Sequence, residues 1–231
     1  MSYTPSIRVK TYNFLVGPEV KEGVSVYGRA LVGKYVYAGG RAFLLIDGRG
    51  TVSVGVYGRN EDDLLKSITP TLVGDYAAHY DVWHDRNDRS YKSVIFPGGT
   101  NEDENYVEWD LGTVKTVAIY FKACSPNDVV YGRLKVSTDG QNYTTILTVV
   151  GGSVQDIFTI ADARYIRLTY WCPDTSISRA AFHVYEVEAF DVTQKDASLP
   201  IKLDITEKLK KGLDYVIVPS SVMTYAIVEV L

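Results

Sequence analysis

Between Tyr76 and Asn105 the chain gathers side chains suited to holding a polar ligand: His79, Tyr80, Trp83, His84, Asp85, Arg86, Asn87, Asp88, Arg89, Ser90 and Tyr91. A sugar is held by an aromatic face against its C–H surface and by planar polar groups that fork to neighbouring hydroxyls. Tyr80, Trp83 and Tyr91 can supply the faces, and His79, His84, Arg86 and Asn87 the forks. Two further exposed loops offer similar chemistry. One runs from Gly98 to Asn105 and contributes Asn101; the other, Trp171-Cys172-Pro173-Asp174-Thr175-Ser176, is led by Trp171. The plainer alternative is that Trp83 and Trp171 pack in the core or at the rim and that the loops are only solvated.

Catalytic chemistry finds little support in these residues. The three histidines, His79, His84 and His183, have no metal-ligand spacing. No nucleophile elbow, phosphate-cradling glycine loop or C-x-x-C pair occurs. Carboxylates are numerous, but glycoside hydrolysis needs one with a raised pKa in a deep cleft, which a sandwich with short loops rarely builds. The expectation is a protein that is not an enzyme. Formal net charge is −4, with lysine and arginine dispersed among the acids, which argues against nucleic-acid binding. No apolar run reaches the length of a membrane span, so no membrane insertion is expected. Met1 to Ser6 lacks the pattern of a signal peptide, giving the expectation of synthesis in the cytoplasm.

The elements that position these loops read as strands. Tyrosine and valine are abundant, glycines are spread throughout and no long helical apolar period appears, so the class is all-β. In Tyr106–Gly112, Val107, Trp109 and Leu111 alternate with Glu108 and Asp110 before a glycine turn. Val117–Phe121 follows as a second strand. Arg133–Tyr143 is an alternating strand ending in an Asp139-Gly140 turn, and Ala163–Leu168 and His183–Phe190 are two more.

With its D-L-G, S-T-D-G-x-x-Y, A-R-Y-I-R-L and Y-E-V-E-A-F wording in this order, the stretch resembles the discoidin family, also called the coagulation-factor C-type domain, of galactose-binding-like fold. The resemblance implies an antiparallel β-sandwich that binds sugars, lipids or proteins through loops at one end, the loop at Trp171 among them. It also implies a structural calcium ion at a turn that Asp85-Arg86-Asn87-Asp88-Arg89-Ser90 matches in spacing. Asp85, Asn87 and Ser90 would then be ligands, with Glu186 or Glu188 as the distal carboxylate. Oxygen ligands suit a hard cation such as Ca2+. Arg86 and Arg89 add positive charge that opposes one, and a salt-bridged polar turn is the alternative. Cys124 and Cys172 do not match the arrangement of disulfides in the family, and both a disulfide and two free thiols stay open.

The flanks read as further β structure. Ala42–Ile46, a turn at Asp47-Gly48-Arg49-Gly50, and the alternating Thr51–Gly58 predict a hairpin. Pro70 keeps the segment from Leu64 to Val73 from being a central strand. The carboxy-terminal segment predicts a strand at Ile201–Ile205, a helical turn at Thr206–Gly212 capped by its threonine, and strands at Val216–Val218 and Tyr225–Val230. Its wording resembles a segment of galactose-binding-type jelly rolls. The expected architecture is two antiparallel β-sandwich (jelly-roll) domains. The first is split, residues 1–72 plus 195–231; the discoidin-like second, residues 73–194, is inserted in it. Two consecutive sandwiches with a strand exchange are the alternative.

Together these readings predict a non-catalytic carbohydrate-recognition and adhesion protein on a particle surface, such as a turret, spike or fibre subunit of a virion. Its partners would be a glycan or glycoprotein on a cell surface and other structural subunits, and a homo-oligomer is expected, in which avidity multiplies weak sites. A free-standing lectin-like module with no assembly role is the alternative.

Overall fold

The computed structural model describes residues 13–16, 27–28, 42–47, 49–58, 63–74, 83, 91–192, 194–207, 213–217 and 224–230. The chain divides into two compact units, residues 1–59 with 193–231, and residues 60–192. In chain order the strands begin with β1 (Asn13–Val16), β2 (Tyr27–Gly28), β3 (Ala42–Asp47), β4 (Thr51–Gly58) and β5 (Thr71–Val73). They continue with β6 (Lys92–Phe96), β7 (Tyr106–Cys124), β8 (Tyr131–Ser137), β9 (Thr144–Val149), β10 (Val154–Trp171) and β11 (Ala180–Asp191). The last are β12 (Gln194–Ser198), β13 (Ile201–Asp204), β14 (Leu213–Ile217) and β15 (Thr224–Val230). Every described pairing is antiparallel, and helical geometry among the described residues is confined to short turns. The fold is all-β.

In the unit formed by residues 60–192, β7 and β10 run through both layers of a sandwich. The first half of β7 and the second half of β10 join β5, β8 and β9; the other halves join β11 and β6. The two strands bend where Leu111–Val114 bulges out between the pairs Asp110↔Tyr165 and Lys115↔Ala163. Gly112 has φ +79° there, and its N–H donates to Asp110 Oδ1 at 2.8 Å. A Cβ is disfavoured in that backbone region, which explains glycine at the bend.

Strand alternation sorts the side chains. Val107 and Trp109 are buried between the layers while Asp110 is exposed; on β8, Gly132, Leu134 and Val136 point inward. Phe96 meets Tyr170 with ring centroids 5.2 Å apart, and Tyr170 stacks on Phe182 at 6.5 Å, joining the layers. Each such buried apolar side chain contributes roughly 1.5–3 kcal/mol. Cys124 and Cys172 are free and buried.

The expected boundary at 72/73 falls inside this unit. Leu65 belongs to its core, the Leu64 N–H donates to Ala189 O at 2.8 Å, and β5 pairs with Tyr106–Glu108. At the other end the Val192 N–H donates to Thr116 O at 3.2 Å, whereas Gln194 already pairs with Val54 of the other unit.

In that other unit the expected β3–β4 hairpin is not formed. The two strands lie in different four-stranded sheets, ordered β1-β15-β3-β13 and β12-β4-β14-β2. From β3 to β4 the chain passes from one sheet to the other, and it does so again between β12 and β13. Ser198 pairs with Thr51, Ile201 with Ile46, and the Leu199 N–H donates to Gly50 O at 2.9 Å. Distant strands therefore take the hydrogen bonds that a local hairpin would have used. Of the helical turn, Thr206–Glu207 is described; Asp204 Oδ1 accepts from the Thr206 N–H at 3.0 Å.

Candidate ligand-binding surface

Two of the expected loops lie against each other. The Gly98 N–H donates to Ile177 O, the Gly99 N–H to Asp174 O and the Thr100 N–H to Cys172 O, at 3.0, 3.1 and 2.8 Å. The Cys172 N–H returns a bond to Thr100 Oγ1 at 3.0 Å. A Cβ on Gly98 would stand 2.2 Å from Asp174 O, so only glycine permits this approach. The contact fixes the loop that follows, where Asn101 caps the short turn at Glu102–Glu104. Its N–H and side-chain amide both donate to the Glu104 carboxylate at 3.0 Å.

Beside these loops the outward-facing residues of β8 and β10 form an aromatic and charged surface. Tyr131 and Trp171 are directly opposite in register and stack at 5.3 Å with 20° between ring planes. The Arg133 guanidinium lies 5.1 Å from the Trp171 ring centroid. It also donates through Nε to Thr148 Oγ1 at 3.2 Å and bonds through Nη1 to Glu102. Lys135 pairs with the other oxygen of Glu102 and lies 3.7 Å from Asp103. Tyr131 and Trp171 are each half-buried.

Further along the same face, the Arg167 guanidinium sits between two tyrosine rings, 4.1 Å from that of Tyr106 and 4.0 Å from that of Tyr143. Its Nε donates to Glu108 at 2.7 Å and its Nη2 to Tyr143 Oη at 2.9 Å. Burial is the largest single influence and works against its charge; the hydrogen bond to Glu108 together with the charges of Glu108, Tyr143 and Tyr106 outweighs it, so its pKa rises. Burial and the Glu108 carboxylate push the Tyr143 phenol up. Asp110 and Arg164 pair through two bonds of 2.9 Å, which hold the Asp110 carboxyl below its usual range. The bonds from Asn101 do the same for Glu104. A glycosidic general acid requires the opposite shift. What this face offers is preorganised: aromatic rings beside planar ionic groups already fixed by neighbours.

Sequence-expected residues fall in several places. Trp171 and Asn101 belong to the neighbouring elements just described. Trp83 is 1% exposed and meets Trp109 edge to face at 6.4 Å, so its ring fills the core. Tyr91 lies on the opposite layer, stacked on His183. His79, Tyr80, His84, Arg86 and Asn87, and with them Asp85 and Ser90, lie outside the described residues. Glu186 and Glu188 are fully buried on β11, and Glu186 stands across from Lys122 in register. Among the described residues no group of three or more His, Cys, Asp or Glu could hold a metal ion. Tyr131 and Arg133 lie outside the expected loops. Their signal was the alternation of Tyr131, Arg133 and Lys135, whose pairing with Trp171 depends on register.

No family profile matches the chain. No curated protein matches it. Among solved structures, chitosan-binding module 1 of a chitosanase/glucanase from Paenibacillus sp. IK-5 is similar at 21% identity. The match covers 55% of this chain and 98% of that one, with a TM-score of 0.38. Module 2 of the same enzyme, in complex with chitotriose, matches at 18% identity over 55% and 99%, TM-score 0.37. CpGH89CBM32-5 from Clostridium perfringens, in complex with GalNAc-β-1,3-galactose, matches at 14% identity over 55% and 99%, TM-score 0.35.

Proposed function

We propose that residues 60–192 form a non-catalytic carbohydrate-recognition module whose ligand rests on Trp171 and Tyr131. The observation that carries this reading is the stacked, half-buried pair of rings with Arg133 and Glu102 fixed beside it. An apolar ring face accepts the C–H surface of a pyranose, and the fixed guanidinium and carboxylate present a donor fork and an acceptor to its hydroxyls. Ring stacking with a few hydrogen bonds gives modest affinity per site, which many copies multiply. That supports the wider reading of a subunit displayed on a particle, where it would meet a cell-surface glycan.

Titration of the purified chain with chitotriose and with GalNAc-β-1,3-galactose, the sugars in two of the structures above, tests the proposal. Saturable binding that Trp171→Ala weakens at least about tenfold, a loss of about 1.4 kcal/mol, supports it. Unchanged binding in a folded Trp171→Ala variant rejects this site.

A further inference from the structure

The opposite layer carries a second aromatic surface that the Trp171 site does not use. Its outward face near the free edge presents Tyr91, Ser93 and Ile95 from β6 and the residue before it. Beside them stand Ala181, His183 and Tyr185 of β11, with Lys122 of β7 beyond. β6 is an edge strand, with its only described pairing to β11. His183 stands across from Ser93 in register, which places Tyr91 on the diagonal, within aromatic reach.

There the Tyr91 and His183 rings lie nearly parallel, 10° between planes and 4.0 Å between centroids. Tyr185 meets Tyr91 edge-on at 5.4 Å and interplanar 61°, and the Lys122 ammonium lies 5.3 Å from the Tyr185 ring centroid. Tyr91 nevertheless keeps 46% of its surface open. One ring face is spent on the imidazole. The result is a flat aromatic shelf, backed by histidine, with a tyrosine wall. Ile95, 36% exposed on the same face, extends its apolar floor.

We propose that this shelf is a second carbohydrate-binding site, taking a pyranose ring by its C–H face on Tyr91. The chemistry is that of ring stacking against a rim of polar groups, as at Trp171. The Tyr91 shelf belongs to the layer of β6 and β11 and the Trp171 site to the layer of β8 and β10, each on the side away from the shared core. The two sites face apart, and one module would engage two sugar chains.

The test uses the full chain on a panel of immobilised and soluble oligosaccharides that includes chitotriose and GalNAc-β-1,3-galactose. Variants are Trp171→Ala, Tyr91→Ala, the double variant and Tyr91→Phe, which keeps the ring. Folding of each is checked by thermal melting. Trp171→Ala should retain saturable binding to at least one sugar, the double variant should lose it at least tenfold, and Tyr91→Phe should stay within about threefold. In the Trp171→Ala background, saturating sugar should also move the His183 imidazole NMR signals, because a ring stacked on Tyr91 changes the shielding beneath it. Loss of all binding in a folded Trp171→Ala chain overturns the second site and leaves the first. Binding that persists unchanged in the double variant, or His183 signals that stay fixed at saturation, overturns it as well. If Tyr91→Ala alone abolishes binding while Trp171→Ala binds normally, the second site stands and the first falls. A wild-type chain that binds nothing on the panel removes both.

Discussion

Gly132 lies directly against the ring of Phe182. A Cβ built on it would stand 2.2 Å from the Phe182 Cζ, and Phe182 belongs to the facing layer. Gly132 separates Tyr131 from Arg133, so the fit of the core sets the spacing of two residues on the outer surface. Gly132→Ala should overpack the interior at a cost of about 1–3 kcal/mol. The measurement is denaturant unfolding beside sugar titration, and both stability and affinity should fall.

Gly98→Ala acts on the loops alone. Its methyl would meet two carbonyl oxygens, those of Asp174 and Ile177, at 2.2 and 2.4 Å. The loop carrying Asn101 and Glu102 should move away from the segment after Trp171. Hydrogen exchange at the Thr100 and Cys172 amides should accelerate at least about tenfold, while amides of β7 keep their protection.

Glu102 joins Arg133 and Lys135 through its two carboxylate oxygens, and all three side chains are partly shielded from water. Glu102→Gln removes the charge and leaves two cations near each other. Stability should fall by about 0.5–1 kcal/mol. The loss should shrink between low salt and high salt, as urea unfolding at the two ionic strengths would show.

Acid sensitivity should have a contribution from the turn at Asp139. Its carboxylate accepts from the Asn142 and Gln141 N–H groups at 2.8 Å each, from Asn142 Nδ2 at 2.7 Å and from Ser137 Oγ at 2.9 Å. The Asn142 bonds lead in holding its pKa far below the ordinary value. A depressed carboxyl pKa gives stabilisation that is complete above the unfolded value, about 3.9, and is lost as pH falls toward the folded one. Asp139→Asn should therefore flatten the stability profile below about pH 4 and leave its shape above that value unchanged. Melting curves across that range check it.

The sandwich was legible where each strand has one wet face. Val107 and Trp109 alternate with Glu108 and Asp110, and Leu134 and Val136 with Arg133 and Lys135, because a strand's side chains alternate across the sheet. The change of sheet between β3 and β4 was not legible. A glycine-rich turn between two strands looks the same whether they pair or part, and the partners of β3 and β4 come from the far end of the chain. Trp83 misled for a related reason: polar neighbours in sequence do not reveal that Trp109 waits across the core. Trp171 could be picked out as an aromatic at the head of a loop, but Tyr131 and Arg133 join it only through the β8–β10 register, a tertiary property. Leu65 lies within a short apolar patch before Pro70, too brief to announce the unit it packs into.

The bonds from Leu64 to Ala189 and from Val192 to Thr116 fasten both ends of the 60–192 unit to its own central strands. A mechanical load entering at Asp63 and leaving at Val192 would meet those clasps before it reached the sheets. Single-molecule pulling through these two points should thus record an initial short release, as the ends peel free, ahead of the main rupture.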